Sequence, residues 1–122
     1  MKFKTRAPKS LRSYLSLELV MSKEALKDKK YTESWRHLER AHILGQPYPL
    51  AHTLVHWKML QFAVEIKNAK EIIGQLPRLL VGGVKSFIGV IPIGNTGGAN
   101  VPALKPMEIP ADLAEIIDQH TR

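Results

Sequence analysis

The sequence predicts an all-α domain: an antiparallel stack of helical hairpins, followed by a fourth long helix and an irregular C-terminal segment. Two observations predict this fold. Apolar residues recur every three or four positions through most of the first 90 residues. Glycine and proline then dominate residues 92–109, which show no helical pattern. With 122 residues, 44% of them apolar, residues 1–122 form one domain that can bury a core.

The first three helices follow from local signals. Leu11, Leu15 and Leu19 share one face of a helix over residues 9–28, after a basic N-terminal arm formed by residues 1–8. The second helix spans residues 32–44, with Thr32 as its N-cap and Gly45 as its C-terminal cap.

The third helix spans residues 49–67 and is apolar around most of its circumference. It is therefore expected to be the most buried helix, with Leu54, Met59 and Ala63 in the core. The fourth helical pattern runs from Ile72 to Ile91, and a short last helix covers residues 110–120, opened by Pro110.

Composition excludes several classes of site. The chain has no cysteine, so disulfides, thiolate metal sites and cysteine nucleophiles are excluded, and a cytoplasmic location is favoured. The basic N-terminus is not followed by the small-residue cleavage site of a signal peptide. Arg78 and Lys85 interrupt the most apolar segment, so no membrane span is expected.

The net charge of +7 suggests a second class of partner. An excess of positive charge attracts polyanions, so the alternative function is a non-enzymatic interaction module that binds an acidic protein or nucleic acid. The plainer interpretation is a solvated basic face, because no recognition motif accompanies the charge. The basic residues cluster at Lys2, Lys4, Arg6, Lys9 and Arg12, and again at Lys23, Lys27, Lys29 and Lys30.

Two pairs of metal-binding side chains flank the turn between the second and third helices. Glu39 and His42 are three residues apart, and His52 and His56 are four apart, so each pair shares a helix face. His42 lies three residues before Gly45 and His52 three after Pro49, which places the pairs level across the hairpin.

Three imidazoles and a carboxylate suit a divalent zinc, iron, manganese, nickel or copper ion. The sequence therefore predicts a metal site at Glu39, His42, His52 and His56, and nothing in it selects the ion. Thr53 stands where a zinc protease of the His-x-x-x-His type needs glutamate, and "ERAH" has no second copy to build a di-iron centre. No catalytic residue is assigned, and the chain is not predicted to be an enzyme.

The same histidines are also compatible with a purely structural role. A histidine on a partly buried helix face is frequently a hydrogen-bonded packing residue. His37 is expected to face solvent near Glu33, and His120 to lie in the last turn of the last helix. The loop from Gly94 to Asn100, "GNTGGAN", is interpreted as a structural loop that folds back over the helices, with an anion cradle as the weaker alternative.

The segment "ALKDKKYTESWRHLERAHIL" resembles a tetratricopeptide hairpin. The matching positions are Tyr31, Ser34, Leu38, Ala41 and Leu44, while Glu18, Ser22 and Ala25 depart from the pattern. A single such hairpin supports a helical stack and not an extended peptide-binding array.

The whole chain also resembles a small bacterial domain family of unknown function. The resemblance rests on "LERAHILGQ" at residues 38–46, the paired histidines of the next helix, the motif from Asn95 to Gly97, and residues 105–110. It implies a shared fold and a shared site, and it implies no activity.

Overall fold

A computed structural model describes residues 7–87, 95–101 and 105–121, with the backbone alone for residues 80–87. These residues form five helices: α1 (Lys9–Lys27), α2 (Tyr31–Gly45), α3 (Pro49–Glu65), α4 (Ala69–Phe87) and α5 (Ala111–Thr121). No strand occurs among them, which confirms the predicted all-α class. The predicted N-terminal arm before Ala7, and the side chains assigned to the far end of the fourth helix, lie outside the described residues.

Consecutive helices from α1 to α4 pack as hairpins, and α5 lies against α1 and α2. The core is a cluster of buried aliphatic and aromatic side chains from α1, α2, α3 and α5. Its members include Leu11, Leu15, Leu38, Leu44, Val55, Met59, Phe62 and Leu113. Burial of these side chains supplies the main favourable free energy of folding.

The two predicted caps of α2 are wrong. The helix begins at Tyr31 after Lys30, without a side-chain cap, so Thr32 lies inside its first turn. Gly45 is the last residue of the helix and does not adopt the left-handed conformation of a glycine cap. Its role is steric, because a Cβ atom at Gly45 would lie 3.1 Å from Ala51 Cβ and from Leu15 Cδ1.

A chain of charged side chains ties α5 to the first hairpin. Glu18 accepts hydrogen bonds from His37 Nδ1 at 2.7 Å and from Arg40 Nε at 2.8 Å. Arg40 also donates through both terminal nitrogens to Asp112 in the first turn of α5. This ion pair with Arg40 lowers the pKa of Asp112. The expectation that His37 faces solvent near Glu33 is therefore wrong: it is 5% exposed and paired with a buried carboxylate.

The predicted burial of α3 is confirmed at two positions and wrong at a third. Met59 and Ala63 are fully buried, whereas Leu54 is 41% exposed. Leu54 lies on a solvent-facing stripe together with Leu50 and Trp57. Because α3 is apolar on nearly every side, its composition does not show which side faces the core.

No helix in the described part of the chain combines the length and the apolar character that crossing a bilayer requires.

We expect Met59→Ala to lower the free energy of unfolding by about 2–5 kcal/mol, because it removes a fully buried side chain and leaves a cavity. Leu54→Ala, on the exposed side of the same helix, is the matched control and should cost below about 1 kcal/mol. Urea denaturation followed by circular dichroism measures both values. Equal losses for the two variants would contradict the described burial of α3.

Candidate metal centre

The turn between α2 and α3 brings the two helices into close contact. It is short, since α2 ends at Gly45 and α3 begins at Pro49, whose fixed φ angle suits a first helical position. The missing side chain of Gly45 lets Ala51 approach the end of α2. His42 therefore lies opposite His52 and His56, as their level spacing predicts.

The three histidine side chains converge through their Nε2 atoms. The distances are 3.0 Å from His42 to His52, 3.1 Å from His42 to His56 and 3.0 Å from His52 to His56. The rings meet at steep angles of 55–75°, and each residue is no more than 3% exposed. Among the described residues, these three are the only group of side chains placed to share a metal ion.

Hydrogen bonds on the outer side of two rings decide their tautomer. His42 Nδ1 lies 2.7 Å from the carbonyl oxygen of Asn95, and a carbonyl can only accept. His42 therefore carries its proton on Nδ1 when it is neutral, and its Nε2 presents a lone pair to the other rings.

Gln75 imposes the same tautomer on His56. Its Nε2 lies 2.7 Å from Glu71 Oε2 and 2.8 Å from the carbonyl of Gly97, so the amide nitrogen must face these two acceptors. The oxygen Oε1 then faces His56 Nδ1 at 2.7 Å and accepts its proton. The Nε2 lone pairs of His42 and His56 thus point at each other with no hydrogen between them.

The loop at residues 95–101, hereafter the covering loop, lies against the ring of His42. A Cβ atom at Gly97 would lie 2.5, 2.7 and 2.8 Å from three successive ring atoms, so the glycine packs on the ring face. Gly97 has a φ of +86°. Asn95 holds the loop on both sides, because its Oδ1 accepts from Gly97 N and its Nδ2 donates to the Lys105 carbonyl. The described part of the predicted loop is therefore structural; Gly94 lies outside the described residues.

Glu39, the fourth predicted ligand, does not belong to the convergent group. It lines a cavity of about 460 Å³ beside the covering loop, together with Trp35, Glu71 and Asn100. Burial raises the pKa of its carboxyl group, although the neighbouring Thr96 and Trp35 side chains oppose this by favouring the charged form. His120 lies in the last turn of α5, as predicted, with its ring 5.1 Å from that of Tyr14.

His42, His52 and His56, hereafter the triad, lie close enough together that they could hold a divalent transition metal ion. Imidazole nitrogens bind such ions at about 2.0–2.1 Å, and Nε2 atoms 3.0–3.1 Å apart are close enough for all three histidines to bind one ion. The outward bonds of His42 and His56 match the arrangement that orients histidine ligands in metal proteins.

The residues that hold the histidines were not predicted from the sequence. Gln75 is fully buried, and its place among the apolar residues from Ile72 to Leu76 was the available signal. Asn95 and Gly97 lie in a motif whose glycines indicated a special backbone conformation but not a contact with His42.

Comparison with known proteins places the chain in one family. Residues 9–117 match the model of a family described as "Protein of unknown function (DUF3703)". No curated protein matches the chain. No solved structure matches it either.

We expect Gly97→Ala to lower the free energy of unfolding by about 1–3 kcal/mol, because alanine is strained at positive φ and its Cβ would collide with the His42 ring. Gly98→Ala is the matched control: its Cβ would meet chiefly the side chain of the exposed Asn100, which can move, and the loss should be smaller. Urea denaturation separates the two. A larger loss at Gly98 would contradict the packing of Gly97 on His42.

Proposed function

The chain belongs to this family of unknown function, whose description supplies no activity, and from the geometry of the histidine triad we propose that the protein binds a divalent transition metal ion. His42, His52 and His56 are the proposed ligands, each through Nε2. A single observation carries the proposal: three buried Nε2 atoms lie within 3.1 Å of one another, and the outward hydrogen bonds direct the Nε2 lone pairs of His42 and His56 at each other when both rings are neutral.

A cation between these nitrogens removes the conflict. Two lone pairs at this separation repel each other, and burial leaves little room for solvent to relieve the repulsion. A bound metal ion would accept both lone pairs, and the outward hydrogen bonds of His42 and His56 already orient the two rings for this.

The donor set favours some ions over others. Three neutral imidazoles suit zinc, copper, nickel, iron and manganese to different degrees, whereas magnesium and calcium prefer oxygen ligands. The deep burial of the triad supports a function in holding the ion, as in storage, sensing or structural stabilisation. We propose no reaction.

Glu39 remains our proposed fourth group. It lies one helical turn before His42 and is partly buried, so its carboxylate is available either to complete the coordination or to accept a hydrogen bond near the ion. Its absence from the convergent group favours a lesser contribution than that of each histidine.

We expect equilibrium dialysis of untagged protein against zinc chloride to give one zinc ion per chain. His52→Ala and His56→Ala should each abolish this stoichiometric binding, since either change removes one of three ligands. Glu39→Gln should weaken binding and leave the stoichiometry unchanged.

His120→Ala is the control variant, because His120 lies in α5 and outside the triad. His37 is unsuitable as a control, since its loss would leave Glu18 buried with one partner fewer. Zinc bound equally by the wild type and the two triad variants, or by none of them, would contradict the proposal.

Zinc affinity should fall as the pH is lowered. Neutral imidazole is the ligand, and an ordinary histidine side chain has a pKa of about 6.5, so protons compete with the metal below that pH. Between pH 7.5 and pH 5.5 we expect a loss of at least about tenfold, measured by competition with a chromophoric chelator. Affinity that is constant across this range would exclude histidine as the main donor.

A further inference from the structure

Hydrogen bonds connect the covering loop to two histidines of the triad, directly to His42 and through Gln75 to His56. The Asn95 carbonyl accepts from His42. The Gly97 carbonyl accepts from Gln75, whose other amide atom holds His56. The amide of Ala99 donates to both carboxylate oxygens of Glu71, and one of these oxygens also accepts from Gln75.

From this shared network we propose that metal occupancy and docking of the covering loop are one coupled equilibrium, so that the chain is a metal-dependent conformational switch. This inference rests on the metal binding proposed above and states what that binding controls. Such coupling requires a ligand that stabilises one arrangement of the loop more than the other.

The physical source of the difference is the orientation of two imidazole rings. With a metal ion bound, the inward lone pairs of His42 and His56 are used, and both Nδ1 protons stay directed at Asn95 and Gln75. Without the ion, the facing lone pairs repel, and rotation of either ring relieves the repulsion. Rotation of His42 breaks its bond to the covering loop, and rotation of His56 frees the amide that holds Gly97.

Undocking of the covering loop would change the surface of the protein. A Cβ atom at Gly98 would lie 3.1 Å from Trp35 Cζ2, so the loop packs close to this indole, which also meets Phe62 with ring centroids 5.2 Å apart. Loss of metal would therefore expose more of Trp35, which is partly exposed already, together with one face of His42. The switch would thus enlarge an aromatic surface in the metal-free state and reduce it in the metal-bound state.

Arg78 holds the covering loop without contacting the triad. It therefore allows the coupling to be tested in the opposite direction, by weakening the docking of the loop and measuring metal binding. Arg78 Nη2 donates to the Val101 carbonyl at 2.9 Å, while Nη1 donates to Gly74 O within the same helix. If docking and metal binding are coupled, weakening this distant contact should also weaken metal binding, because metal binding must then also supply the lost docking free energy.

The first experiment measures amide hydrogen exchange of the wild-type chain with zinc and after removal of zinc by a chelator. We expect exchange at Gly97 and Ala99 to be at least about tenfold faster without zinc, while amides in α1 keep their protection and show that the chain remains folded. Zinc binding with unchanged exchange at these two amides would overturn the switch. Failure to bind zinc would instead overturn the proposed function itself.

The second experiment measures zinc affinity of Arg78→Met by the same chelator competition. We expect a loss of about fivefold or more, although Arg78 contacts none of the three histidines. Lys70→Met is the matched control, since it removes an exposed cation from the same helix, and its affinity should equal that of the wild type. Equal affinities for Arg78→Met and the wild type would contradict the coupling.

A tryptophan signal supplies an independent readout. In a Trp57→Phe background, Trp35 is the remaining tryptophan, and its emission should shift to longer wavelength when zinc is removed, because the indole becomes hydrated. An emission maximum that is identical with and without zinc would count against undocking of the covering loop.

Discussion

The arrangement of this protein depends on the direction in which two imidazole rings hold their protons. His42 and His56 donate outward through Nδ1 to the Asn95 carbonyl and the Gln75 amide oxygen, and both rings therefore turn lone pairs inward. The inward side is buried and shared with His52. This combination suits the cation that we propose for the meeting point, and the hydrogen bonds of the two rings link α2, α3, α4 and the covering loop.

Much of the fold could be predicted because helix positions follow from local periodicity. The predicted ranges 9–28, 32–44 and 49–67 differ from the observed helices by two residues or fewer at each end. The wrong predictions of burial concern positions where the local sequence pattern does not determine which side of a helix faces the core. Leu54 was assigned to the core because α3 is apolar on nearly all sides, and His37 was assigned to solvent because its partner, Glu18, lies 19 residues away in another helix.

For the site, too, the sequence predicts what depends on neighbouring residues and not what depends on residues distant in the chain. The triad could be predicted because His42, His52 and His56 lie on either side of one short turn. The number of residues between each histidine and the turn then sets its position along the antiparallel helices. Gln75 and Asn95 could not be predicted, since their positions depend on how α4 and the covering loop fold back over the hairpin. A sequence pattern identifies a buried amide or a glycine-rich loop, but not the ring that it contacts.

The short separation of the three histidines has a consequence for how such a site could change during evolution. All three histidines lie within one helical hairpin, whereas the groups that orient two of them come from later parts of the chain. Substitutions at Gln75 would thus alter the basicity of His56 directly, and substitutions at Asn95 would act on His42 through the position of the covering loop, while the three histidines stay in place. Metal preference could then diverge among relatives whose histidine motif is identical, and the motif alone would be a poor guide to which ion each of them holds.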